Sequence, residues 1–285
     1  MKLAVLGFAA VEVLAAAAAG AASPAAGISV SAGDVTDRRR NDNHFGGLEI
    51  ELKIGGDGAA GVRGARALVK KAEDETGRNL LKEGEKTPDF DTSMSDSAPT
   101  LKLELRNPAR RAKKVREVSG QVELFLPARD PAAVARLDGF LSRMDRPAAL
   151  PALKAAQAEV TVVSRKTYEA EKKKDAERRK KEAESAGIAG AMVEAFSGLF
   201  EGLMGDIEEN DVLLKVNDPG KKVFNVEVFD SKGAKIDGGG SMTVGTFRIL
   251  KFPEKLPADA SLRIYLLTPK SLVTTPFQLK DVALP

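Results

Sequence analysis

Short runs in which apolar and charged residues alternate recur along this chain. Leu48-Glu49-Ile50-Glu51-Leu52-Lys53-Ile54, Leu101-Lys102-Leu103-Glu104-Leu105 and Gln121-Val122-Glu123-Leu124-Phe125-Leu126 each send every second side chain to the same face. A half-buried antiparallel strand has that period of two, because successive side chains point to opposite sides of the sheet. The pattern resumes at Val160-Thr161-Val162-Val163, at Val212 to Val216, at Val223 to Val228 and at Leu262 to Leu266. Strands this short, joined by Gly- and Asp-containing turns, predict a mainly β chain of two antiparallel β-sandwich modules rather than a parallel sheet.

One turn occurs twice. Asp74-Glu75-Thr76-Gly77-Arg78-Asn79-Leu80 aligns with Asp230-Ser231-Lys232-Gly233-Ala234-Lys235-Ile236. In each, Asp opens the turn, Gly supplies a positive φ, and an apolar residue re-enters extended chain. The match fits either a duplicated module or convergent hairpin chemistry.

Two segments read as helical. Asp130-Pro131 is an N-cap followed by Pro at the first helical position, and Val134, Leu137, Phe140, Leu141 and Met144 follow at helical spacing. The second is longer. Fourteen of the nineteen residues from Lys166 to Glu184 are charged, and Glu169–Lys173, Asp175–Arg179 and Glu177–Lys181 pair acid-first at i,i+4. After Gly187 the character reverses: Ile188, Met192, Phe196, Leu199, Phe200, Leu203 and Ile207 form an apolar stripe. The expected organisation is a first sandwich module over 28–128, a helical connector over 129–157, and a second module over 158–285 with a helical excursion at 166–208.

The N-terminus carries an address. Lys2 precedes an apolar run from Leu3 to Ala19, and Ala18 to Ser23 supplies small residues for cleavage, which predicts a signal peptide over 1–22 and export to the periplasm or beyond. Glu12 is a cost inside that run. No later stretch has the about 18 uncharged apolar residues of a membrane span, so none is expected in the mature chain.

Charge and composition narrow the chemistry. Lys and Arg (44) nearly balance Asp and Glu (41) for a net +3, unlike the one-sided charge of a nucleic-acid binder. Without Cys there is no disulfide, thiolate nucleophile or thiolate metal ligand. The single His44 lies in a polar loop, and a zinc site or a Ser-His-Asp triad needs more than that. No nucleophile elbow, phosphate-binding loop or metalloprotease motif is present. No cofactor is expected, and the chain reads as no enzyme. Asp89, Asp91 and Asp96 offer oxygen ligands of the kind Ca²⁺ takes, but without the glycine-centred spacing of an EF-hand the expected reading is a solvated connection, with Ca²⁺ as the alternative.

Two segments remain as candidate binding surfaces. The apolar stripe, through Met192, Phe196, Leu199, Phe200 and Leu203, suits a protein partner or a second copy. It also fits docking on its own module, or lying on a membrane surface. The run from Arg106 to Arg116 holds six basic residues in eleven, and Arg110, Arg111, Lys113 and Lys114 suit an anionic polymer, glycan or lipid headgroup. The bland reading of such a run, edge charges that block strand-to-strand aggregation, is the favoured one.

The turns from Asp74 to Leu80 and from Asp230 to Ile236 between alternating strands resemble immunoglobulin-like sandwich modules of exported bacterial proteins. Together with Asn107-Pro108-Ala109 and Val118-Ser119-Gly120-Gln121-Val122-Glu123-Leu124, they resemble an uncharacterised class of secreted two-module proteins. The resemblance covers most of 28–165 and implies topology alone, with no activity and no site residues. The inter-sheet Cys pair and core Trp of immunoglobulin domains are absent. The expected role is a non-catalytic structural or adaptor protein of the cell envelope that engages a protein partner through the 187–207 helix, with polyanion or glycan binding through 106–116 as the alternative.

Overall fold

The structure, a computed structural model, describes residues 27–39, 46–84, 86–92, 99–185 and 207–285. It is mainly β, with antiparallel sheets and no closed barrel. In chain order the first strands are β1 (Ser29–Arg38), β2 (Gly47–Gly55), β3 (Gly64–Asp74), β4 (Thr100–Leu105) and β5 (Lys114–Phe125). Then come β6 (Val134–Asp138), β7 (Arg146–Pro147), helix α1 (Pro151–Ala156), β8 (Glu159–Val163) and helix α2 (Arg165–Ser185). The remainder is β9 (Val212–Asn217), β10 (Val223–Phe229), β11 (Gly240–Val244), β12 (Phe247–Lys251), β13 (Ser261–Leu266) and β14 (Leu272–Ala283).

The alternation read from the sequence decides which faces are buried. Leu48, Ile50 and Leu52 of β2 lie opposite Leu105, Leu103 and Leu101 of β4, all inward. Val115, Val118, Val122 and Leu124 of β5 complete the same core from the facing sheet. Fully burying one such side chain contributes about 1.5–3 kcal/mol, so this cluster alone fixes the register of both sheets. Outward, Glu49 falls opposite Glu104, a like-charge pair that Lys102 and Lys82 neutralise at 3.0 and 2.7 Å.

Two groups of sheets repeat one pairing scheme. In the first half, β1-β2-β4 faces β14-β5-β3 around one core. In the second, β8-β9-β12 faces β6-β13-β10 around another, with β7 and β11 added at the ends of the larger sheet. The repeated turn keeps its geometry in both halves. Gly77 and Gly233 have φ of 85° and 83°, and Leu80 N–H bonds Ala72 O as Ile236 N–H bonds Val228 O, at 2.9 and 2.8 Å.

The outermost strands are exchanged between the halves. β6 follows β5 in sequence but pairs with β13, whereas β14 follows β13 and pairs with β5 along almost its full length. The contiguous division expected at 158–285 therefore differs from the pairing: the chain's last strand completes the first half.

The stretch expected as a helical connector is largely not helical. Asp130 caps as anticipated, accepting from Ala132 N–H at 3.0 Å, but only a 3-10 turn over Pro131–Ala133 forms. Val134–Asp138 is strand β6, with Ala135 and Leu137 buried and Arg136 paired to Asp138 in solvent at 2.6 Å. A period of two lay beneath the helical spacing, and Gly139 in the left-handed region (φ 57°) ends the element. Beyond short 3-10 turns at Pro131–Ala133 and Phe140–Ser142, helix appears in this region only as α1.

Candidate functional site

Four places gather the residues that could act: the arm that begins with α2, the basic end of the first half, the loop of Asp89 and Asp91, and the junction between the halves.

The arm leaves the second half from the larger sheet. Ser164 caps α2, its hydroxyl accepting from Thr167 N–H at 3.2 Å, and Asp145 in turn accepts from Ser164 N–H at 2.9 Å. That backbone donor holds the Asp145 carboxyl below the usual carboxylate range. Tyr168 then packs edge-on against Phe247 at 4.9 Å, over Val163, Leu213 and Ile249, and Glu171 pairs with Lys215 at 2.6 Å. Beyond Glu171 the helix has no apolar face, and its described side chains are almost all exposed. Its 21 residues extend about 30 Å.

The return end is fixed at the same sheet. Ile207 packs against the Tyr168 cluster. The buried Asp211 carboxylate accepts from Glu208 N–H at 2.8 Å and pairs with Lys251 at 3.0 Å. Asn210 bonds Pro253 O at 3.4 Å. Met192, Phe196, Leu199, Phe200 and Leu203 lie outside the described residues, as does His44.

The basic end is organised by a buried acid that the sequence marked only as a turn opener. Asp74 Oδ1 accepts from Thr76 N–H, the Thr76 hydroxyl and Arg78 N–H, while Oδ2 accepts from Ala109 N–H across 35 residues, all at 2.7–3.0 Å. Burial pushes the Asp74 carboxyl up, but these donors outweigh it and hold it below the usual range. They lock the turn and the 106–113 loop together. Glu75 accepts from Lys113 N–H at 2.6 Å, and Leu284 N–H bonds Lys113 O at 2.9 Å.

The four predicted cations separate on this frame. Lys114 pairs with Asp281 at 2.6 Å, a contact that raises the lysine and lowers the aspartate. The side chains of Arg110, Arg111 and Lys113 are exposed and pair with no carboxylate among the described residues. Arg78, which no sequence pattern singled out, joins them because its own backbone is bound by Asp74.

The Asp89–Asp91 loop serves the fold. Asp91 exchanges two backbone hydrogen bonds with Ala65 of β3, at 2.8 and 3.1 Å. Asp96 lies outside the described residues, and no group of three or more His, Cys, Asp or Glu among the described ones could hold a metal ion.

At the junction, Phe224 of β10 packs on Phe125 of β5 at 4.2 Å and edge-on to Phe90 at 5.7 Å. Arg63 lies over the Tyr265 ring at 5.6 Å and reaches Glu227 at 3.5 Å, which Lys235 also meets at 3.0 Å. Burial first, then Glu227, pushes the Tyr265 hydroxyl up. Gly64 is required here, because a Cβ would strike the Phe224 ring. These groups are committed to one another and read as a structural seam.

Comparison with family models, curated proteins and solved structures finds no match.

Proposed function

We propose that this chain is an exported, non-catalytic structural or adaptor protein of the cell envelope that engages a protein partner through its helical arm. Each pair of facing sheets is read as an immunoglobulin-like sandwich module, and residues 1–22 as its export signal.

The observation that carries this reading is an internal comparison. β1 and β2 form an antiparallel pair joined by eight residues, 39–46, whereas their counterparts β8 and β9 are joined by forty-eight, 164–211. The same pairing needs no such length. Connections this long in compact domains are usually functional. Both roots of the connection are anchored on one sheet by Tyr168, Glu171, Ile207 and Asp211. The charged helix carries chain away from the body, and the Met192-to-Leu203 stripe supplies the apolar contact.

The test is in-cell crosslinking of the full chain beside a version lacking 172–206, which keeps both roots, and beside Phe196→Asp with Phe200→Asp. A partner or second copy captured by the full chain and lost in both variants, with strand circular dichroism retained, is the expected outcome. Unfolding of the double variant would place the stripe in the protein's own core, and an unchanged crosslinking pattern would remove the arm from the contact. Either result overturns the reading.

A further inference from the structure

The first half carries a surface of its own, independent of the arm. Its end away from the junction is built from the turn at Asp74 and the β4–β5 loop, and β5 runs about 37 Å from Lys114 there to Phe125 at the seam. Four exposed cations, Arg78, Arg110, Arg111 and Lys113, rise from these two segments and pair with no carboxylate among the described residues. The two segments, 74–80 and 106–113, carry five cations against Asp74 and Glu75, a net +3 that equals the +3 of the whole chain, so this one end concentrates charge that the rest of the molecule cancels. Further along the sheet the charges balance internally: Lys71 is shared by Glu73 and Glu117 at 3.4 and 2.7 Å, which takes Glu117 down to about 2.

The fold does not demand those cations. The second half has the equivalent loop, between β12 and β13, ending like the first in an i,i+3 backbone turn, Ala260 N–H to Pro257 O as against Ala112 N–H to Ala109 O. That loop, 252–260, carries Glu254, Lys255 and Asp259, a surplus of one negative charge, whereas 106–113 carries three arginines, one lysine and no acid. Edge protection alone does not account for the difference, because the second half manages the equivalent end with mixed charge. One copy of the scaffold is basic and the other is not.

We propose that this end of the first half binds a surface of anionic phosphate headgroups. Arginine forks match phosphate oxygens in two-point contacts. The cations stand on two segments joined through Asp74, so an array of headgroups offers each of them a partner, which a single small anion does not. Asp74 fixes the loop backbone beforehand, which removes the ordering cost that a mobile basic loop would incur on binding. Among the described residues, Met144 is the one large apolar side chain left exposed, and it belongs to the other half. Contact is therefore at headgroup depth, electrostatic and screened by salt.

The experiment is cosedimentation of the full chain with phosphatidylcholine vesicles, with and without phosphatidylglycerol, at 0.1 M and 1 M salt. Arg110→Gln, Arg111→Gln and Lys113→Gln are combined in one variant. A control variant combines Lys232→Gln, Lys255→Gln and Lys270→Gln, which removes the same charge from exposed positions away from that end. The expected result is binding to the anionic vesicles alone, abolished at 1 M salt and weakened about a hundredfold in the first variant. The control should change it less than fivefold. Equal losses in the two variants would show that net charge and not this end is responsible. Absence of vesicle binding would also overturn the proposal, and so would binding to long-chain polyphosphate without binding to vesicles. Matching melting temperatures for the variants separate lost contact from lost fold.

Discussion

The Thr268 hydroxyl donates to the Asp130 carboxylate at 2.6 Å across 138 residues of sequence. The two residues lie on the two segments by which the chain crosses between halves, 126–133 after β5 and 267–271 after β13. Leu126 N–H bonds Ser271 O beside them at 2.8 Å. Thr268, then Ala132 N–H, holds the Asp130 carboxyl below its ordinary range. The crossing is thus pinned where β6 and β14 part for opposite sheets, and neither half has a complete small sheet without a strand delivered by the other.

The exchange makes the C-terminal strand part of the first core. Val273, Phe277 and Leu279 of β14 are buried against residues of β2, β3 and β5. Phe277→Ala should lower unfolding stability by about 3–5 kcal/mol through the cavity it leaves. Hydrogen exchange would show the loss in β3 and β5, far away in sequence. Protection lost only in β8 to β13 would contradict this account of the core.

Asp74 gives a pH signature with a definite sign. Its folded-state pKa is depressed, so its contribution is fully present above the unfolded value of about 4 and is lost as pH falls through the lower folded value. Asp74→Asn keeps the shape but cannot match the carboxylate's four accepted bonds, and it should flatten the acid limb of stability against pH. Asp74→Ala should cost about 2–4 kcal/mol at neutral pH, because buried donors lose their acceptor. Chemical denaturation from pH 3 to pH 7 checks both.

Much of this architecture was legible where burial imposes a single period. β2 and β4 alternate cleanly because one face of each meets a core, whereas β9, β10 and β13 are apolar enough to read as strands but are buried in consecutive runs, their second faces covered under α2 or at the junction. β6 was hidden because Val134, Leu137 and Leu141 satisfy a helical spacing while Ala135 and Leu137 satisfy a strand, and pairing with β13 decides between them. β1 was hidden by a bulge between Ala32 and Val35 that interrupts its period. In β14, Pro276 speaks against a strand, yet β14 is an edge, where a missing N–H is tolerated. The basic loop was visible as composition. Its anchor was not, since Ala109 N–H reaches Asp74 through tertiary structure, and Arg78 gave no signal until that turn was placed.

The arm's roots can be tested apart from its contact. Tyr168→Ala removes a buried ring from Phe247, Leu213 and Ile249 and should cost about 3 kcal/mol. The loss falls on the larger sheet of the second half, so hydrogen-exchange protection of β8, β9 and β12 should weaken while that of β2 and β4 persists. An undisturbed second half would mean that α2 does not rest on this sheet.

The seam depends on one glycine facing one ring. A Cβ at Gly64 would overlap the Phe224 ring, itself held between Phe125 and Phe90, and would also crowd the Asp91 carbonyl oxygen at 2.9 Å. Gly64→Ala should therefore destabilise by about 1–3 kcal/mol, as overpacking does. Phe224→Ala should cost about 3–5 kcal/mol by leaving a cavity. If the ring is the obstacle, the two changes compensate: the double variant should be more stable than the sum of the single costs predicts, by at least 1 kcal/mol. Strict additivity in the denaturation midpoints would show that the Asp91 carbonyl, and not the Phe224 ring, is what a side chain at Gly64 meets.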